Sequence, residues 1–72
     1  MRNDAYLLEV GNKIRSVRKA KGISLRKLEE LTDIDMSNIS RIENGKKNFH
    51  ILTLKSIADV LGVDVKDFLE NG

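Results

Sequence analysis

No cysteine and no proline occur among these 72 residues, and the aromatic side chains amount to one tyrosine and two phenylalanines. Without cysteine, no disulfide or thiolate metal site can staple the fold. Helix packing must hold it together alone, a state that suits a reducing cytosol. Near the N-terminus the longest apolar stretch is Ala5-Tyr6-Leu7-Leu8, stopped by Glu9, so no secretory h-region is expected. No segment approaches the roughly 18 apolar residues of a membrane span. The expectation is a soluble, cytoplasmic protein with no membrane partner. His50 is the only histidine, and no cluster of acids accompanies it at metal-ligand spacing. Neither a metal nor a cofactor is expected. Nor is there a Ser/His/acid set, a nucleophilic cysteine or a glycine-rich phosphate loop. The chain does not read as an enzyme.

What is present is mostly Leu, Ile and Val, in a hydrophobic content of 40%. The length allows one domain over 1–72. Such a small domain buries only about 60% of the surface its unfolded chain exposes, so its core must be efficient. Net charge is only +2, yet it is segregated. Residues 1–28 carry a net +6, residues 29–45 a net −4, and residues 46–72 balance. Between Val10 and Leu28 lie seven basic residues and no acid. That block is either an ordinary solvated helix face or the footprint of a polyanion, and charge alone favours the first.

Apolar spacing is helical throughout. Leu7, Val10, Ile14 and Val17 recur at three- and four-residue steps, marking a first helix over about 4–21 that Gly22 ends. One pattern then repeats four times: an aliphatic residue, a capping residue, and an apolar residue four positions further on. The sets are Ile23-Ser24-Leu28, Ile34-Asp35-Ile39, Leu52-Thr53-Ile57 and Val63-Asp64-Phe68. Ser, Asp and Thr accept from the free amides of a first turn, while the flanking apolar pair staples the chain at its angle of approach. Helices over 24–32, 35–44, 53–61 and 64–70 follow. The reading is an all-α, compact five-helix bundle. Its second and third helices are separated by Thr32-Asp33-Ile34, the spacing of a helix-turn-helix. Asp33 takes the turn position that favours a left-handed backbone.

The third helix has only Ile39 and Ile42 as its seam; Ser37, Arg41 and Asn44 centre on the opposite side, with Asn38 and Ser40 on its shoulders. In an arbitrary protein this is a solvent-facing helix. It also fits a DNA major groove, where Arg forks onto guanine, Asn or Ser bonds base edges or phosphates, and Met36 offers its side chain to a thymine methyl. Two neighbours favour DNA. Gly45-Lys46-Lys47-Asn48 follows immediately with flexible backbone and two cations, and Ser24 and Arg26 open the second helix, whose N-terminus suits a phosphate.

The stretch Val10 to Leu69 resembles the phage-repressor, Cro-like helix-turn-helix family, also called the XRE family. The matching runs are GNKIRSVRKAKGIS (11–24), ISRIENGKKN (39–48) and TLKSIADVLGVDVKDFL (53–69). The resemblance implies a lambda-repressor-like domain that binds double-stranded DNA as a homodimer on a palindrome. It implies base-edge contacts from Met36, Ser37 and Arg41 with Asn38 assisting, and backbone contacts from Ser24, Arg26, Asn44, Lys46, Lys47 and Asn48. It also implies a cross-helix ion pair between Arg18 and Glu43, with Arg18 structural and not a DNA contact. The sequence departs from the family at several points. Leu25 stands where Gln is usual, and Glu29 stands where a small residue packs at the helix crossing. Glu29 is therefore expected to splay the helices slightly or to turn toward solvent or a basic neighbour. Asp33 replaces the turn Gly, Asp35 the common Ser cap, and Phe49 the usual Pro. Asp35 stands where it either reads a cytosine amino group or repels a phosphate.

Leu52, Val65 and Leu69 are the candidate dimer seam, with Phe68 assigned to the core. The leading reading is a transcriptional regulator of repressor or controller type. The alternative is an antitoxin or other protein-binding module, using the apolar loop 49–52 and the last helix for a protein partner.

Overall fold

Each helix after the first begins with a half-buried apolar residue just outside it and a fully buried one a turn inside. The computed structural model describes residues 4–70, and the described residues form five helices. These are α1 (Asp4–Ala20), α2 (Leu25–Thr32), α3 (Met36–Glu43), α4 (Ile51–Leu61) and α5 (Lys66–Leu69). Ile23 and Leu28, Ile34 and Ile39, and Val63 and Phe68 bracket the starts of α2, α3 and α5. Ser24 caps α2 by accepting from the Lys27 N–H at 3.0 Å, and Asp35 caps α3 through the Ser37 N–H at 3.1 Å. α5 begins at Lys66 with Val65 as its N-cap, two residues later than the sequence reading, and reciprocal bonds from Asp64 and Asp67 close the turn before it. Asp64 accepts from the Lys66 N–H at 3.2 Å, and Asp67 accepts from the Asp64 N–H at 3.1 Å.

The fourth start differs from the sequence reading. Thr53 is not a cap: α4 begins at Ile51, with His50 as its extended N-cap and no side-chain cap bond. The staple is Phe49 with Leu54, the same spacing three residues earlier, and Leu52 is 75% exposed. Two registers compete here, and the phenyl ring has more apolar surface to bury than the Leu52 side chain.

α1 packs on α3 and α5, and α2 packs on α3 and α4. Val10, Ile14, Leu28, Ile39, Ile42, Leu54, Ile57, Ala58, Leu61 and Phe68 make one core to which every helix contributes. α3 supplies only its two isoleucines, so its hold on the rest needs other contacts. One is steric. Gly11 in α1 lies directly against the carbonyls of Ile42 and Glu43, and a Cβ there would collide with that backbone. The other is electrostatic. Arg18 Nε donates to Glu43 Oε2 at 2.7 Å and Nη2 to Oε1 at 3.0 Å, while Nη1 donates to the Ile23 carbonyl at 2.9 Å. Both residues are buried, and no buried side-chain polar atom among the described residues lacks a partner.

Two measurements test this α1–α3 contact. Gly11→Ala, which would stabilise an isolated helix by about 1 kcal/mol, is expected to destabilise the fold by about 1–3 kcal/mol through overpacking. Urea unfolding checks the sign. Arg18→Met is expected to cost about 3–5 kcal/mol by stranding the Glu43 carboxylate, and adding Glu43→Leu should recover most of it. A double variant no more stable than Arg18→Met alone would show that the loss is not due to an unpaired charge.

Candidate nucleic-acid interface

The interface is built outward from the turn between α2 and α3. Asp33 adopts the left-handed conformation (φ 63°, ψ 16°) and donates its N–H to the Glu29 carbonyl at 2.8 Å. Thr32 Oγ1 donates to the Leu28 carbonyl at 2.6 Å and accepts from the Ile34 N–H at 3.2 Å. Glu29 Oε2 accepts from the Met36 N–H at 3.0 Å. The expected outward or splaying role of Glu29 is therefore corrected. Its half-buried side chain runs along the turn and covers the first amide of α3, while Asp35 covers the second. A helix start leaves four amides without intrahelical partners, and Asp35 alone reaches only one of these two.

On the outward side of α3, Ser37, Arg41 and Asn44 are exposed, and Met36, Asn38 and Ser40 are half-buried. Asn38 lines a cleft of about 200 Å³ together with Lys47, Asn48, His50 and Thr53 over an apolar floor. Asn44 Nδ2 donates back to the Ser40 carbonyl at 2.9 Å, and the Lys46 N–H closes the helix end on the Arg41 carbonyl at 2.9 Å. The chain turns through Gly45 (φ 69°), where a Cβ would clash with the Leu8 backbone. Lys46, Lys47 and Asn48 are then exposed beside the end of α3.

The starts of α2 and α3 have opposite chemistry. α2 has no acid in its first turn, and Ser24 and Arg26 are exposed there. Its dipole and its cation both favour a phosphate. The start of α3 carries two carboxylates instead. Exposed cations are thus found at the α2 start (Arg26), on the outward side of α3 (Arg41) and in the 46–48 loop that follows it.

The helix-turn-helix family model matches residues 14–68. The chain belongs to the XRE-type helix-turn-helix family. It is 37% identical over 71 residues to control protein C.BamHI of Bacillus amyloliquefaciens, covering 97% of this chain and 86% of that one. Among solved structures, the restriction-modification controller protein C.AhdI from Aeromonas hydrophila superimposes with a TM-score of 0.86 at 28% identity, covering 89% of this chain and 97% of that one. The biofilm master regulator SinR, solved in complex with DNA, gives 0.79 at 37% identity over 85% of this chain and 98% of that one. As a member of this family, the chain is a DNA-binding transcriptional regulator of controller or repressor type, and the family is not enzymatic.

Within this helix-turn-helix protein the candidate seam residues Leu52, Val65 and Leu69 are spread unevenly, and Ile51 is exposed beside Leu52. Leu52 and Ile51 are exposed (75% and 56%), whereas Val65 and Leu69 are half-buried against the core. The Tyr6 hydroxyl donates to the Leu69 carbonyl at 3.2 Å, tying α5 to α1. No group of three or more His, Asp or Glu residues is arranged for a metal among the described residues, and no helix there is long and apolar enough to cross a membrane. Of the apolar loop expected over 49–52, Ile51 and Leu52 form the first turn of α4 instead, and sequence reasoning missed the capping role of Glu29. The signal for Glu29 lay in its separation of seven residues from Met36, about two helical turns folded back by a left-handed residue at position 33.

Glu29→Ala is expected to cost about 1 kcal/mol through the lost hydrogen bond to Met36. In amide exchange the Met36 N–H should lose protection while amides in the middle of α4 keep theirs. Unchanged protection at Met36 would show that Glu29 does not hold the turn.

Proposed function

We propose that this regulator reads a palindromic operator as a homodimer, with α3 in the major groove of each half-site. The supporting observation is that Ser37 and Arg41 are exposed on α3, together with the acid-free, phosphate-favouring start of α2 and the exposed cationic 46–48 loop that follows α3. Met36, Ser37, Asn38 and Arg41 read base edges, Arg41 as a forked donor to guanine. Ser24, Arg26, Asn44, Lys46, Lys47 and Asn48 hold the sugar-phosphate backbone and set register. Leu52 leads the dimer seam, with Val65 and Leu69 behind it. The likeness to a controller of restriction-modification and to a regulator solved on DNA supports the same reading.

Selection of bound sites from random duplex DNA, at stated salt, is the test. Enrichment of a palindrome supports both the groove placement and the dimer, and enrichment of no motif even at low salt would reject the reading. On the selected site, Arg41→Ala should cost about 1–3 kcal/mol and relax one base pair. Lys46→Ala should weaken all sequences alike and lower the salt slope by about one.

A further inference from the structure

The start of α3 has a chemistry that its remaining outward face lacks. Its first two amides are taken by its own chain, Met36 by Glu29 at 3.0 Å and Ser37 by Asp35 at 3.1 Å. With two carboxylates already there, this end is unsuited to a phosphate. The Ser37 hydroxyl is committed as well. A carboxylate accepts and does not donate, so the 3.1 Å contact between Ser37 Oγ and Asp35 Oδ1 directs the hydroxyl proton onto Asp35. Ser37 Oγ therefore presents only lone pairs outward. Asp35 Oδ2 has no hydrogen-bond partner among the described residues, and both side chains are exposed. Two acceptor oxygens thus stand together at the head of α3. The donor Arg41 lies four residues further on, about 6 Å along the axis.

We infer that Asp35 and Ser37 form an acceptor pair that selects a base bearing an exocyclic amino group, cytosine first and adenine second, under the start of α3. The inference rests on the proposed placement of α3 in the major groove. Cytosine shows only its N4 amino donor there. Adenine shows its N6 amino group beside the N7 acceptor, and guanine and thymine present O6 and O4 acceptors. An acceptor pair meets cytosine without conflict, meets adenine with one opposed lone pair, and is repelled by the keto oxygens. The Asp35 charge also repels phosphates of every sequence equally. Asp35 therefore lowers affinity for all DNA while sharpening the choice of one base. Arg41, a donor without acceptors, makes the opposite choice at its own position.

Asp35→Asn separates these effects, because its Oδ1 still caps α3 while a donor amide replaces Oδ2. Site selection with the wild type should show one position in each half-site enriched about tenfold for cytosine. With Asp35→Asn that position should move to guanine or thymine, and the position assigned by Arg41→Ala should stay as it was. Non-specific DNA should bind more tightly to the variant. Ser37→Ala should narrow the cytosine preference without reversing it. Asp35→Ser, which keeps a capping oxygen, should lose the preference and guards against a folding defect in the Asn variant. An Asp35→Asn protein selecting the wild-type base at every position would overturn the inference while leaving the groove placement intact. A wild-type protein selecting no motif would overturn both.

Discussion

The contact between α1 and α3 carries the outward face of the protein. α3 is eight residues long, too short to be stable as an isolated helix in water, and only two of its side chains enter the apolar core. Its orientation therefore depends on Gly11, which admits the Ile42 and Glu43 carbonyls, and on the buried Arg18–Glu43 pair. The pair's third donor also fixes Ile23, the residue that staples the start of α2. One guanidinium thus sets α1 against α3 and anchors the segment leading into α2. Relieved of most packing duty, α3 can present polar side chains over half its circumference.

The segregated charge takes on a different meaning once the pairs are known. Every acid in the net-negative segment 29–45 has a local task. Glu43 neutralises Arg18, Glu29 and Asp35 cap α3, Asp33 makes the left-handed turn, and Glu30 approaches Lys27 at 3.8 Å. The last of these is an exposed pair and is worth little. Of the basic block, Arg18 alone is buried, so its charge adds least to any external field. Near the helix-turn-helix, over 24–48, the exposed cations without an ion pair among the described residues are Arg26, Arg41, Lys46 and Lys47. This set comes from α2, α3 and the loop that follows α3.

How far the sequence was legible depended on whether a signal was local. Aliphatic pairs five residues apart with a cap between them mark the starts of α2, α3 and α5, because stapling is complete within one turn. The same rule misplaced α4: Leu52-Thr53-Ile57 satisfies it in full, whereas Phe49 and Leu54 share only the spacing and have no capping side chain between them. The finished core half-buries Phe49 and leaves Leu52 exposed. Glu29 was misread for a related reason. At a position where the family packs a small residue, its effect depends on where the chain goes after Asp33, and that direction is not carried by residues 28–30 alone.

The departures from the family pattern at 29, 33 and 35 are best understood as one unit. Asp33 in the left-handed region is less favourable than Gly, but its N–H bonds the Glu29 carbonyl, and the Glu29 side chain continues across the turn to Met36. With Asp35 on Ser37, the turn becomes self-sufficient, and the start of α3 needs no external group to satisfy its first two amides. A helix start closed in this way gives up the phosphate that an open one would attract, and in the proposed complex the backbone contacts then come from the start of α2 and the lysine loop. In return, the Asp35 and Ser37 oxygens are held in fixed positions before any DNA arrives. Little ordering entropy then remains to be lost when a base edge meets them. Under the proposed placement of α3, the Asp35 charge exchanges general affinity for pre-set discrimination.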